Sequence, residues 1–226
     1  MQTFAPAAGC RLACFRMRRT SFAALFVLCF GVAGYALVVY GFRPLGERVH
    51  PDMQAAFQAN AIGIKAHVFA SALALLLGPF QFVSRLRTRR PTLHRWMGRI
   101  YLGIAVLIGG VAGLYIAQYA FGGQPARLGF AGLAIAWLYT GVRAYAAVRA
   151  GDFASHRRWM IRNFALAFAA VTLRLYLPLA IFVRIPFELA YPLIAWACWL
   201  PNLLFAEWLA HATQGPSFEP TALGSH

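Results

Sequence analysis

Six apolar stretches of the chain are each long enough to cross a lipid bilayer as a helix. A spanning helix needs about 20 mostly apolar residues, because the hydrocarbon core of a bilayer is roughly 30 Å thick. Backbone polar groups find no water there, so segments of this length cross as α-helices that satisfy their own hydrogen bonds. The stretches lie at 21–41, 63–84, 97–121, 129–149, 160–183 and 187–211. The sequence therefore predicts an all-α integral membrane protein with six transmembrane helices.

The composition leaves no room for a separate soluble domain. Hydrophobic residues make up 61% of the 226 residues and charged residues only 12%, which is far from the balance of a soluble globular protein. We expect one membrane domain over residues 21–211. An arginine-rich tail precedes it at 1–20, and a tail that contains two prolines, expected to be disordered, follows at 212–226.

The basic residues are distributed unequally between the two sides of the predicted spans. Fourteen of the 21 lysines and arginines fall in the N-terminal tail and in the second and fourth loops with their edges, whereas five fall on the opposite side. Cytoplasmic loops collect lysine and arginine, which places both termini in the cytoplasm. The net charge of +15 then favours contact with anionic lipid headgroups at the cytoplasmic face, and nucleic acid is not an expected partner.

A short motif occurs twice, 63 residues apart when aligned on its Trp-Met pair, and each copy leads into an apolar stretch. The first copy, 94–101, reads HRWMGRIY, and the second, 156–164, reads HRRWMIRNF. In both, one arginine precedes the Trp-Met pair and another follows three residues after the tryptophan. The offset predicts that 63–121 and 129–183 are two copies of one helical hairpin, entering the membrane from the same side. We expect this parallel repeat to form a central four-helix bundle flanked by the first and last spans.

Polar side chains within the spans are candidate site residues, because polar groups at membrane depth are costly to keep there. His67 and Gln81 fall on one face of the second span, and Asn163 and Arg174 fall on one face of the fifth. At a rise of about 1.5 Å per residue, His67 is expected roughly 6 Å and Arg174 roughly 14 Å below the outer end of the membrane domain. Both faces are predicted to line one polar interior.

Each of these residues also has a structural interpretation. His67 is either a buried histidine bonded across helices or a ligand or proton-relay group. Gln81 and Asn163 are more often hydrogen-bonding links between helices than ligand contacts. No carboxylate is predicted at the depth of Arg174, so its guanidinium calls for an anion such as a propionate, a substrate carboxylate or a lipid phosphate.

Two further histidines, His94 and His156, lie at the start of the two motif copies, each about one turn before a predicted span. One interpretation is that they cap helices or contact lipid phosphates. The other is that the two imidazoles converge from the third and fifth spans as axial ligands of a haem iron.

Several short motifs together resemble an uncharacterised bacterial family of multi-pass membrane proteins, domain of unknown function 2306. The motifs are Gly78–Phe82, Leu93–Arg95 with Gly98–Tyr101, His156–Met160 and Thr172–Arg174, within about 63–183. The resemblance implies a protein of the bacterial cytoplasmic membrane but no established activity or catalytic residues.

The six-span plan also resembles, more distantly, the cytochrome b561-like proteins, whose four-helix core carries haem-ligating histidines. That resemblance implies haem b as a cofactor. Two haems with two histidines each would need four ligands, but here only His67, His94 and His156 lie in the core region, and the repeat position that matches His67 is Phe130. The resemblance therefore implies at most one such haem, with His94 and His156 as its iron ligands.

Two functional hypotheses remain open from the sequence. The favoured one is an electron-transfer protein that binds haem b or a quinone, with Arg174 as the partner of a propionate or another anion. The alternative is a non-redox binder or carrier of an anionic or lipid ligand held by His67, Gln81, Asn163 and Arg174, or else a structural or assembly protein. The sequence contains no hydrolase or phosphate-loop motif, so it names no enzymatic reaction.

Overall fold

The computed structural model describes residues 8–212, with side chains described from 20 to 210. Within these bounds the chain is helical and contains no strand. The predicted tails at 1–20 and 212–226 therefore lie largely outside the residues described in side-chain detail. The helices are α1 (Ala8–Phe42), α2 (Pro51–Ala59), α3 (Ala61–Gln81), α4 (Ser84–Arg89), α5 (Pro91–Ile100), a π-helical segment (Tyr101–Val106), α6 (Leu107–Ala117), α7 (Gly123–Arg149), α8 (Phe153–Ala167), α9 (Ala169–Phe182), α10 (Phe187–Ala197) and α11 (Leu200–Ala212).

Six helical units have the length and apolar composition needed to cross a membrane, which confirms the predicted all-α six-span class. They are numbered here as spans one to six: Thr20–Phe42, Ala61–Gln81, Pro91–Ala117, Gly123–Arg149, Phe153–Phe182 and Phe187–Ala210. Short helices α2 and α4 lie in the first and second connections. We call the end of the bundle that carries α4 and the connection 150–152 the arginine-rich end, and the other the opposite end.

Spans three, four and five begin six or seven residues before the apolar stretches do. Span three begins at Pro91, a residue whose fixed φ suits a first helical turn. Span five is capped by Asp152, whose carboxylate accepts a hydrogen bond from the Ser155 amide at 2.9 Å. Bonds from the side chain and amide of Ser155 hold the pKa of Asp152 below its usual range. Hydropathy does not detect such polar first turns. Because the helices begin earlier than predicted, His94 and His156 lie inside the spans, each as the fourth residue of its helix.

Spans two to five form the predicted central bundle. Span two contacts span three, three contacts four, four contacts five, and five closes the ring against two. Span one packs on spans two and five, and span six packs on spans four and five. Both flanking spans therefore pack on span five, which contacts a larger number of other spans than a helix at the edge of the bundle does.

Glycines at matching repeat positions bring the helices of the bundle close together. A Cβ added to Gly78 in span two would collide with the ring of Phe164 in span five. A Cβ added to Gly141, 63 residues later in span four, would lie 2.9 Å from Val106 in span three. Each of these two glycines thus lets a span of one predicted hairpin approach a span of the other, and the duplication itself stays a prediction.

The helices of spans three and five are both interrupted at matching places. Span three contains the π-helical segment Tyr101–Val106, and the corresponding positions of span five, 164–169, include the break between α8 and α9 at Phe168. A π-helical turn inserts an extra residue into the hydrogen-bond ladder and rotates the side chains that follow. In span three it begins at Tyr101, which is fully buried.

We expect Gly78→Ala to lower the stability of the detergent-solubilised protein by about 1–3 kcal/mol, because the added methyl group overpacks the contact with Phe164. The matched control is Gly31→Ala in span one, where a Cβ meets no atom within 4 Å. Thermal unfolding followed by near-ultraviolet circular dichroism measures both. Equal melting temperatures for the two variants would contradict the close approach of spans two and five.

Candidate functional site

A small cavity of about 40 Å³ lies where spans one, two and five meet. Its walls are mostly apolar and include four alanines, but three polar side chains also line it: His67 and Ser71 from span two and Arg174 from span five. We call this the His67–Arg174 cavity. A volume of this size holds roughly two or three water molecules or one small ligand group.

His67 is fixed in the cavity wall by a hydrogen bond across spans two and three. Its Nδ1 lies 2.8 Å from the backbone oxygen of Gly109. A carbonyl oxygen only accepts, so Nδ1 carries the proton and the neutral ring presents Nε2 as an acceptor. A Cβ added to Gly113 would lie 2.9 Å from Nδ1, so the glycine permits the ring to sit against span three.

Arg174 brings a positive charge to the same cavity. One of its terminal nitrogens donates to the backbone oxygen of Ala170 at 3.0 Å, within its own helix. Among the residues that the structure describes, no carboxylate lies within ion-pair distance of it. The guanidinium has five N–H donors, so a single carbonyl contact leaves most of its hydrogen-bonding capacity available to a ligand.

The depths of His67 and Arg174 agree more closely than the sequence indicated. His67 is six residues from the start of span two at Ala61, and Arg174 is eight residues from the end of span five at Phe182. At a rise of about 1.5 Å per residue, these positions are about 9 Å and 12 Å from the opposite end. The two side chains are within electrostatic range of each other.

Asn163, predicted to share this interior, lies instead at a separate buried junction. Its side-chain oxygen accepts a hydrogen bond from the Tyr101 hydroxyl at 2.9 Å. Its side-chain nitrogen donates to the Trp137 backbone oxygen at 2.8 Å and to the Thr140 hydroxyl at 2.9 Å. The fully buried amide thus links spans three, four and five, which is the helix-linking role that the sequence left as the alternative.

Gln81 also lies away from the cavity, at the last residue of span two. It is buried, its Nε2 has no hydrogen-bond partner, and a Cβ on Gly98 in span three would lie 3.3 Å from its Oε1. The predicted single polar interior is therefore divided in two. His67 and Arg174 share one cavity, whereas Gln81 and Asn163 belong to the half of the bundle nearer the arginine-rich end.

His94 and His156 lie at the arginine-rich end, within electrostatic range of each other. The Nδ1 of His156 is 2.8 Å from the Ala144 backbone oxygen, so its Nε2 is the nitrogen open to another contact. The Nδ1 of His94 is buried and has no hydrogen-bond partner. Ligating histidines usually donate their second ring N–H to a carbonyl or carboxylate, a pattern that His156 shows and His94 does not.

No group of three or more histidine, cysteine, aspartate or glutamate side chains that could hold a metal ion occurs in the described part of the chain. A haem iron needs only two axial histidines, so the His94–His156 pair falls below the size of such a group.

A family model described as "Predicted membrane protein (DUF2306)" matches residues 64–210. The chain belongs to this family. The match spans nearly all of the central bundle and includes both motif copies, His67 and Arg174, which confirms the resemblance seen in the sequence motifs. No curated protein and no solved structure has a significant match to this DUF2306 chain. The more distant resemblance to the cytochrome b561-like proteins stays a prediction.

Two polar contacts of this DUF2306 protein were not foreseen from the sequence. Tyr101 is the partner of Asn163, and Arg162 forms a two-pronged pair with Glu207 in span six, with both N–O distances at 2.6 Å. The sequence signal for the Tyr101–Asn163 contact was the tyrosine hydroxyl at a position where the second motif copy has Phe164. For the second, the signal was a lone carboxylate near the end of span six.

We expect Asn163→Ala to destabilise the protein by about 1–3 kcal/mol, because it leaves the buried Tyr101 hydroxyl without its acceptor. Asn60→Ala is the control, since that side chain joins α2 to a partly exposed tyrosine at the opposite end. Chemical denaturation in a mild detergent measures both. A loss no larger than that of the control would show that the junction does not hold spans three to five together.

Proposed function

We propose that this protein binds a small anion, such as a carboxylate or a halide, within the membrane in the His67–Arg174 cavity. Arg174 supplies the charge and N–H donors, the Ser71 hydroxyl supplies a further donor, and His67 forms part of the cavity wall. The observation that supports the proposal most strongly is the position of Arg174, which lines a mostly apolar cavity and has no carboxylate partner among the described residues.

Keeping a charged side chain within the hydrocarbon core of a membrane costs free energy. An arginine near the centre of a transmembrane helix costs about 2.5–3.5 kcal/mol on insertion scales, and such residues face a bundle interior or cavity where a partner offsets the cost. Arg162 meets this requirement with Glu207. Arg174 has a backbone carbonyl and a cavity, so an anion from solution or from the membrane is the partner that would offset its charge.

The cavity volume limits the ligand. Pockets for drug-sized molecules measure about 300–1,000 Å³, many times the 40 Å³ found here. A ligand group that occupies the His67–Arg174 cavity must therefore be small, and any larger body attached to it must remain outside. This favours the anion-binding hypothesis over a haem or quinone ring at this position.

We place the protein in the bacterial cytoplasmic membrane with both termini in the cytoplasm. Two observations support that placement. The family consists of predicted membrane proteins, and fourteen of the 21 basic residues belong to the arginine-rich end and the N-terminal tail.

The anion proposal predicts a melting temperature that depends on small anions. A ligand at 100 times its Kd stabilises a native protein by about 2.7 kcal/mol. Sodium acetate, compared with sodium gluconate at equal ionic strength, should therefore raise the melting temperature of the wild type by several degrees. Arg174→Gln should lose that difference and, in gluconate, should be no less stable than the wild type, since it removes an unpaired charge.

Arg127→Gln is the matched control, because Arg127 is an exposed arginine of span four near the same end. It should keep the full acetate response. If Arg174→Gln responds to acetate as strongly as Arg127→Gln does, the cavity is not the anion site and the proposal fails.

A second candidate function, electron transfer through haem b or a quinone at His94 and His156, rests on one observation. His156 is oriented by Ala144 as a ligating histidine would be, and it lies within electrostatic range of His94. A haem held by this pair would show a reduced-minus-oxidised visible band in protein expressed with ample haem, and either His94→Ala or His156→Ala would abolish it.

His67→Ala, at the other end of the bundle, should leave such a band unchanged. A band that persists in both His94→Ala and His156→Ala would show that these histidines are not the ligands. No band in the haem-replete wild type would remove the haem form of this function. Extraction of the purified protein with organic solvent then tests for a bound quinone.

A further inference from the structure

Arg143 is a lipid-facing arginine within span four whose charge no described carboxylate neutralises. Its terminal nitrogen donates to the Tyr139 hydroxyl at 2.9 Å, and its guanidinium carbon lies 4.8 Å from the ring centre of Trp159 in span five. The guanidinium is thus held in one orientation by a neutral hydroxyl and an aromatic face. Arg143 and Tyr139 are both exposed on the surface of the bundle.

A second arginine also stacks on Trp159, but its charge has a carboxylate partner. The guanidinium carbon of Arg162 lies 4.7 Å from the Trp159 ring, and Arg162 forms its two-pronged pair with Glu207. Of the two arginines stacked on this tryptophan, one is neutralised by a carboxylate. The net charge of the cluster is therefore positive and resides on the exposed side, at Arg143.

Arg143 lies just inside the hydrocarbon core, near the arginine-rich end of span four. Span four has 27 residues, so at about 1.5 Å per residue it is about 40 Å long and exceeds the roughly 30 Å hydrocarbon core by about 5 Å at each end. Arg143 is six residues, or about 9 Å, from the end of span four at Arg149. Arg143 therefore lies about 4 Å inside the hydrocarbon core, and its hydrogen bond to Tyr139, one turn deeper in span four, holds the guanidinium there, so that a lipid phosphate drawn toward it would offset the charge.

The matching position in the first hairpin is covered by protein. Sixty-three residues before Arg143 stands Phe80, which packs edge-on against Phe26 and Phe30 of span one with ring centres 5.0 and 6.1 Å apart. In the second hairpin, Arg143 and the exposed Val142 present a basic and apolar surface instead. The duplicated position thus carries an apolar contact in one copy and an exposed charge in the other.

We propose that Tyr139, Arg143 and Trp159 form a specific site for an anionic phospholipid, with the lipid phosphate bound by Arg143. The acyl chains would lie along the exposed apolar face of span four, which includes Ile135 and Val142. The charge of the cluster, its depth and the adjoining apolar track all match such a lipid. The site is separate from the His67–Arg174 cavity and does not depend on the proposed function.

Native mass spectrometry of the protein in mixed phosphatidylglycerol and phosphatidylcholine micelles tests this site. The wild type should retain phosphatidylglycerol in preference to phosphatidylcholine. Arg143→Gln should bind phosphatidylglycerol roughly tenfold more weakly at its tightest site, as expected for the loss of a charged contact worth about 1.4 kcal/mol. The control Arg127→Gln makes the same charge change at an exposed arginine elsewhere in span four and should keep the wild-type preference.

An unchanged lipid preference in Arg143→Gln would overturn the proposal, as would equal retention of the two lipids by the wild type. Soluble glycerol phosphate that displaces phosphatidylglycerol at equal concentration would show a phosphate site rather than a lipid site, and would overturn it too. Arg143→Lys provides a second variant should the glutamine variant not fold. It keeps the charge but loses the planar stack on Trp159, so severalfold weaker binding is expected and full affinity would contradict the site.

Discussion

A positive charge inside a hydrocarbon layer needs a partner that offsets the cost of its burial, and the arginines within the spans of this protein differ in the partner they have. Arg162 is neutralised by Glu207. Arg143 is stacked on Trp159 and hydrogen-bonded to Tyr139 on the exposed surface of the bundle. Arg174 is the exception, because it lines a small, mostly apolar cavity and has no carboxylate partner among the described residues. Arg162 and Arg143 each have a partner for their charge. The same requirement indicates that a ligand is the partner of Arg174.

The bundle that positions these arginines depends on close packing and one buried amide. Glycines let spans two and five, and spans three and four, approach until side-chain rings touch backbone. Asn163 then joins spans three, four and five through three hydrogen bonds, with Tyr101 delivered to it at the start of the π-helical segment. Because the same span five carries Asn163 toward one end and Arg174 toward the other, the junction fixes the helix that presents Arg174 to the cavity.

The sequence predicted the parts of the fold that hydropathy and duplication determine. The six apolar stretches predicted the six spans, and the repeated motif predicted the central bundle. Both predictions rest on the order of residue types along the chain and need no knowledge of side-chain contacts. The starts of spans three and five were placed too late, since Pro91 and Asp152 begin helices whose first turns are polar. The polar residues chosen as candidates do lie at buried or cavity-lining positions. Helical spacing placed Asn163 and Arg174 on one face of span five, but it could not show that Asn163 contacts Trp137 and Thr140 whereas Arg174 lies toward span one.

The measurement that tests the central claim most directly is anomalous X-ray diffraction from crystals of the protein grown with sodium bromide. Bromide is a small anion that the His67–Arg174 cavity has room to hold, and its position can be located without reference to the protein phases. The account predicts an anomalous peak in the cavity at contact distance from the Arg174 guanidinium in the wild type and no peak there in Arg174→Gln. A wild-type cavity without bromide, in crystals that bind bromide at surface arginines, would contradict it.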